Sequence, residues 1–139
     1  MKKLIITIIL IFICSSASAE TLYPENLWQG LMGEAVSEGY KGMYAVGCVY
    51  RNRIRQGKGL GCVALKRRAL AQWCAKQGIK YEGMAKDIIY KLFILDYPDI
   101  TGGATHYEAI EKYGKPYWVK DMVKTIKIGE HTFYKEKIK

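Results

Sequence analysis

A mostly helical α+β single domain, closed by a small C-terminal β-hairpin, is what three features of the sequence predict. Apolar residues recur at helical spacing through most of residues 24–95. A stretch rich in Gly, Pro and aromatics then breaks that period, and residues 124–134 alternate on either side of a Gly-Glu pair as the strands of a hairpin do.

The chain of 139 residues opens with MKKLIITIILIFICSSASAE. Lys2 and Lys3, the apolar run 4–14 and the small residues Ala17-Ser18-Ala19 read as a secretory leader, residues 1–19. The run is too short to span a bilayer, which takes about 20 residues. No stable membrane insertion is therefore expected once the leader is removed, and the bulky Ile13 before Cys14 argues against lipidation. Residues 20–139 are enough for one compact domain and too few for two. The formal charge of +9 includes the two leader lysines, which leaves +7 on that domain. A basic exported protein suits an acidic polymer such as a cell-wall glycan, an anionic lipid or nucleic acid. The one basic run, LKRRAL at 65–70, reads as a helix face, so no nucleic-acid partner is expected.

Residues 24–37 place Leu27, Leu31, Glu34 and Glu38 on one helical stripe, with Pro24 suited to the first turn. A carboxylate on a core-facing stripe must be paired, exposed in a cleft, or protonated. Two acids one helical turn apart also oppose each other's ionisation. An acid that keeps its proton near neutral pH is what cleavage of a glycosidic bond requires. By pattern alone, Glu34 reads first as an ordinary glutamate at a cleft rim or helix end. After a break at Glu38-Gly39-Tyr40, a second helix over 41–56 carries Ala45, Val49, Asn52 and Arg53 on one face. Residues 57–61 read as a loop and 63–77 as one or two short helices packing Leu65, Leu70 and Trp73. Residues 82–95 form the clearest amphipathic helix, burying Met84, Ile88, Ile89, Leu92 and Leu95. In the aromatic stretch that follows, Tyr97, Tyr107, Tyr113, Tyr117 and Trp118 offer flat faces for sugar rings, and Thr105 and His106 offer hydrogen-bonding groups. The same aromatics would equally serve to plug a packed surface loop.

Outside the leader the cysteines are Cys48, Cys62 and Cys74. The spacing predicts a Cys62 to Cys74 disulfide with Cys48 a buried thiol on the Ala45 and Val49 face. No Cys or His spacing suggests a metal, and no cofactor is expected.

Four blocks carry a resemblance: Gly33-Glu34-Ala35-Val36-Ser37-Glu38 with Gly42 and Ala45-Val46-Gly47; Asn52-Arg53; Asp99-Ile100-Thr101-Gly102-Gly103-Ala104-Thr105-His106-Tyr107; and Ile128-Gly129-Glu130-His131-Thr132-Phe133-Tyr134. In that order they resemble the SleB-type cell-wall hydrolases, across nearly the whole domain. The resemblance implies a lysozyme-like fold and cleavage of peptidoglycan glycan strands, with Glu34 catalytic and Glu38 beside it. It also implies that Thr105, His106 and Tyr107 line the substrate cleft, whereas His131 is expected to be structural. Ser37 stands where that family commonly has Gly, and Ile100 where it often has Pro. No separate glycan-binding repeat is seen, so a monomer that finds its substrate through cleft and charge is expected, secreted or in the periplasm. One dependable acid favours a lytic transglycosylase that leaves 1,6-anhydro ends between N-acetylmuramic acid and N-acetylglucosamine. The alternatives are a muramidase with Asp99 as second carboxylate, and a non-catalytic peptidoglycan-binding protein. A metal amidase built on His106 and His131 lacks the required spacing.

Overall fold

A computed structural model describes residues 23–139. The expected leader, 1–19, lies outside them. Helix α1, Leu27–Ala35, begins one turn later than expected, with the Pro24 carbonyl accepting the Leu27 N–H at 2.9 Å in the turn before it. It buries Leu27, Leu31, Met32 and Ala35. The helix then tightens into a 3₁₀ turn, Val36–Glu38, and Gly39 at φ +68° leads straight into α2, Gly39–Arg55. The single helix expected to run through Ser37 is therefore two elements.

Every residue of α2 from Gly42 to Arg51 is buried. A helix enclosed on all sides is the centre of a core; α1 and α4 (Ile79–Ile89) pack against it, and α3 (Leu70–Gln77) packs against those two. At Gly47 a Cβ would lie 2.7 Å from Leu92 Cδ1, so α2 and the end of the α4 segment meet at a residue without a side chain. Helix α4 continues as a wider π-helical turn, Tyr90–Ile94. Ile88, Ile89 and Leu92 are buried as expected, but Leu95 is 47% exposed, because the wider turn has rotated it off the core face.

Side chains of α2 also hold the segment 92–105. Tyr44 donates to Pro98 O at 2.7 Å, and Arg51 to Leu92 O and Tyr97 O at 3.0 and 2.6 Å. Asn52 donates to Ala104 O at 2.9 Å and Arg53 to Thr105 O at 3.0 Å. That segment delivers β1, His106–Glu108, which is followed by the short α5, Ile110–Tyr113. Strands β2, Met122–Ile128, and β3, His131–Glu136, form the expected hairpin, with Gly129 at φ +58°. A positive φ at the first central residue alone is the II′ geometry that suits hairpins. Strand β1, not anticipated from sequence, pairs antiparallel with β3 in the order β1-β3-β2, with Tyr107 opposite Phe133. The molecule is thus a mostly helical α+β domain.

The expected disulfide is not formed: Cys48, Cys62 and Cys74 are all free and buried. Cys62 Sγ faces Gly30 on α1, while Cys74 Sγ donates to Gln29 O at 3.7 Å. Burial pushes the Cys48 thiol up to about 12, which leaves it protonated and inert.

Candidate active site

A cleft of about 460 Å³ opens between α1 and the 3₁₀ turn Val63–Lys66 on one side, and β1, α5 and the hairpin turn on the other. Glu34, Glu38, Thr105, His106 and Tyr107 all line it, so the structure gathers every predicted site residue from two separated stretches of chain.

Glu34 sits near the end of α1, half-buried. A Cβ on Gly33 would lie 2.6 Å from that of Ala64, so the absence of a side chain lets the turn 63–66 rest against α1. The Ala64 N–H, one of the unpaired donors at the start of that turn, then donates to Glu34 Oε1 at 2.7 Å. One carboxylate oxygen is thereby fixed.

Glu38 does not continue the Glu34 stripe, because the 3₁₀ turn separates them. Its carboxylate points to the hairpin instead, accepting the Glu130 N–H at 3.2 and 3.1 Å and facing His131 Nδ1 at 3.8 Å. That nitrogen is buried and otherwise unpartnered. Two glycines shape the seat: a Cβ on Gly42 would lie 2.2 Å from Glu38 Cβ, and one on Gly129 only 1.9 Å from Glu38 Oε2. The Glu38 side chain is 8% exposed. Glu38 lines the same cleft as Glu34, but its oxygens are already committed to the hairpin turn.

Tyr107 projects from β1, its hydroxyl 3.1 Å from that of Tyr50 on α2. Its ring meets those of His131 and Phe133 at 5.1 and 5.9 Å. Burial first, and then the Glu34 carboxylate beside it, hold its phenol far above the usual range, so it remains a neutral O–H. Thr105 is buried, with its hydroxyl 3.0 Å from His106 Nδ1. Burial and then the Arg53 guanidinium hold the His106 pKa below 6.5, favouring the neutral ring, which packs 5.1 Å from Trp118.

Asp99 is not in the cleft. It accepts hydrogen bonds from Asn52 Nδ2, from Thr101 N–H and Oγ1, and from Gly103 N–H, at 2.6 to 3.0 Å. Burial pushes its pKa up, but these bonds outweigh burial and the net shift is downward. Its role is to fold its own loop, which removes it as the second carboxylate of a muramidase. Tyr50, Arg67 and Lys112 line the cleft without having been singled out by the sequence reading. Tyr50 lies three residues before Arg53 on the flagged face of α2, a spacing that could have found it. Among the described residues no group of three His, Cys, Asp or Glu side chains is placed to hold a metal ion.

A cleft in a helical domain, with a half-buried carboxylate anchored on one oxygen beside neutral hydroxyl donors, is the kind of site that suits acid-base bond cleavage. Comparison with protein families agrees: the family described as Cell Wall Hydrolase matches residues 37–134, most of the chain. The chain belongs to that family. The matched region begins just after Glu34 and includes Glu38, Thr105, His106 and Tyr107. No curated protein and no solved structure matches the chain.

Proposed function

We propose that this cell wall hydrolase cuts peptidoglycan glycan strands between N-acetylmuramic acid and N-acetylglucosamine, as an extracytoplasmic lytic transglycosylase with Glu34 as its acid-base residue. The observation that carries the reading is the state of the carboxylates. Glu34 has one oxygen fixed by Ala64 N–H, while Glu38 is committed to the hairpin turn and Asp99 lies outside the cleft. With its proton on the free oxygen, Glu34 donates to the bridging glycosidic oxygen as the C1–O bond breaks. The resulting carboxylate takes the proton of the muramic acid 6-hydroxyl as that oxygen closes onto C1. No water enters, and the acid is restored. The neutral hydroxyl of Tyr107 offers a donor to the sugar beside Glu34.

A hydrolytic reading keeps some support because Glu108 and Glu130 also line the cleft. Glu108 accepts the N–H of its neighbour Ala109 at 2.9 Å, which reduces its availability to water. Digestion of purified sacculi separates the readings: anhydro-muramyl ends are expected, and reducing muramic ends would mean hydrolysis. Glu34→Gln should lower release by about 10²- to 10⁴-fold while glycan binding survives. Release at the normal rate from that variant would remove Glu34 from the chemistry, and binding without release by the wild type would leave a glycan-binding protein.

A further inference from the structure

The cleft carries positive charge that bond cleavage does not use. Arg67 lies on the Glu34 side, its Nη1 3.7 Å from where a Cβ on Gly33 would stand. Its guanidinium lies over the Trp73 ring, 5.9 Å from the centroid. Stacking of this kind limits the directions in which the planar fork can point. The other arginine of the cleft, Arg53, is consumed by structure, donating to Gly59 O at 2.7 Å and Thr105 O at 3.0 Å. Arg67 differs: among the described residues its guanidinium has no carboxylate partner, whereas Arg51, Arg55, Lys58, Lys86, Lys91 and Lys127 each hold one. A directed, unpaired guanidinium set against Gly33, the residue before the proposed acid, is suited to a planar anion.

We infer that Arg67 forms an anion subsite beside Glu34 that binds a carboxylate on the muramoyl side chain, making the protein selective for strands that carry one. This rests on the glycan-cleaving reading of Glu34. The carboxylate has two possible sources: the lactyl group itself once the stem peptide is gone, or the stem peptide when it is attached. Arg67 would read either through the same paired N–H donors, and it would add nothing for a strand whose acids have been made neutral.

The test uses three substrates: stem-bearing strands, strands stripped of stems so that the lactyl carboxylate is free, and stripped strands whose carboxylates have been converted to amides. Wild-type kcat/KM should be about 10-fold higher on at least one acidic substrate than on the amidated one, as one charge-assisted pair gives. The better acidic substrate identifies the source. Arg67→Gln should collapse that preference by raising KM rather than lowering kcat, and Arg67→Lys should keep part of it. A wild type indifferent to amidation, or an Arg67→Gln protein that keeps the preference, would overturn the subsite. Binding of the same three substrates to Glu34→Gln, with and without Arg67→Gln, separates the two ideas. Arg67-dependent preference in binding supports the subsite even if no cleavage is ever seen, and its absence there overturns it.

Discussion

Replacing Gly129 by alanine tests whether Glu38 is the tie between the helices and the hairpin. Gly129 sits at φ +58°, where a side chain costs about 1–3 kcal/mol. The new Cβ would also lie 1.9 Å from Glu38 Oε2 and 3.1 Å from its Cδ, so the carboxylate must move away from the Glu130 N–H. For a side chain only 8% exposed, leaving that donor adds about 1–3 kcal/mol. The two costs separate in a double-mutant cycle. Glu38→Ala removes the group that the new methyl would strike, so in that background Gly129→Ala should retain only the backbone cost. The coupling should be about 1–3 kcal/mol. For a domain of this length, at roughly 3–6 °C per kcal/mol, a mid-range coupling is a difference of about 6–12 °C in Tm. Thermal unfolding of the four proteins, followed by circular dichroism, measures it. If Gly129→Ala lowered Tm equally in both backgrounds, Glu38 would not be the tie.

Tyr107→Phe keeps the ring against His131 and Phe133 and removes only the hydroxyl that faces Tyr50. It should cost about 0.5–1.5 kcal/mol of stability and lower glycan release by about 10-fold or more, through loss of a donor beside Glu34; unchanged release at saturating substrate would take that hydroxyl out of the site. The lowered His106 pKa makes a pH prediction with a definite sign. Above about pH 6.5 the ring is neutral folded or unfolded and contributes nothing; below it the unfolded chain takes up a proton that the folded ring resists, so stability falls as pH falls, until the folded pKa is passed. His106→Gln should therefore flatten the slope of Tm against pH between about 7 and 5, and an identical slope in the variant would show that His106 is not its source.

The helices were legible because their packing faces repeat locally: Leu27 and Leu31, or Ile88 and Leu92, lie one turn apart and are all buried. The break inside the first predicted helix was not, since a 3₁₀ turn of three residues, Val36–Glu38, leaves the apolar spacing almost unchanged. Glu34 stood out as a carboxylate on an apolar stripe. The seat of Glu38 did not, because it is completed by Gly129 and Glu130, far along the chain. Strand β1 has three residues and owes its existence to β3, a pairing no local window contains. Cysteine spacing carried no information on where Cys62 and Cys74 would face. Asp99 is a different kind of miss: its bonds to Thr101 and Gly103 form a local turn, and Asp-x-Thr-x-Gly could have been read as loop structure rather than chemistry.

The bonds from α2 to the segment 92–105 mean that the route of that segment is specified by another part of the chain. Tyr44, Arg51, Asn52 and Arg53 all donate to main-chain carbonyls, those of Leu92, Tyr97, Pro98, Ala104 and Thr105. A carbonyl is the same whatever residue bears it. The exposed side chains at 97 and 98 can therefore be exchanged with the path retained, provided the backbone angles are tolerated, whereas Ala104 is also fixed by the core around it and a change at 51, 52 or 53 unmoors the approach to β1. Helix α2 acts as a jig: it holds the strand bearing His106 and Tyr107 at a set distance from Glu34 and leaves the loop's own surface open to redesign.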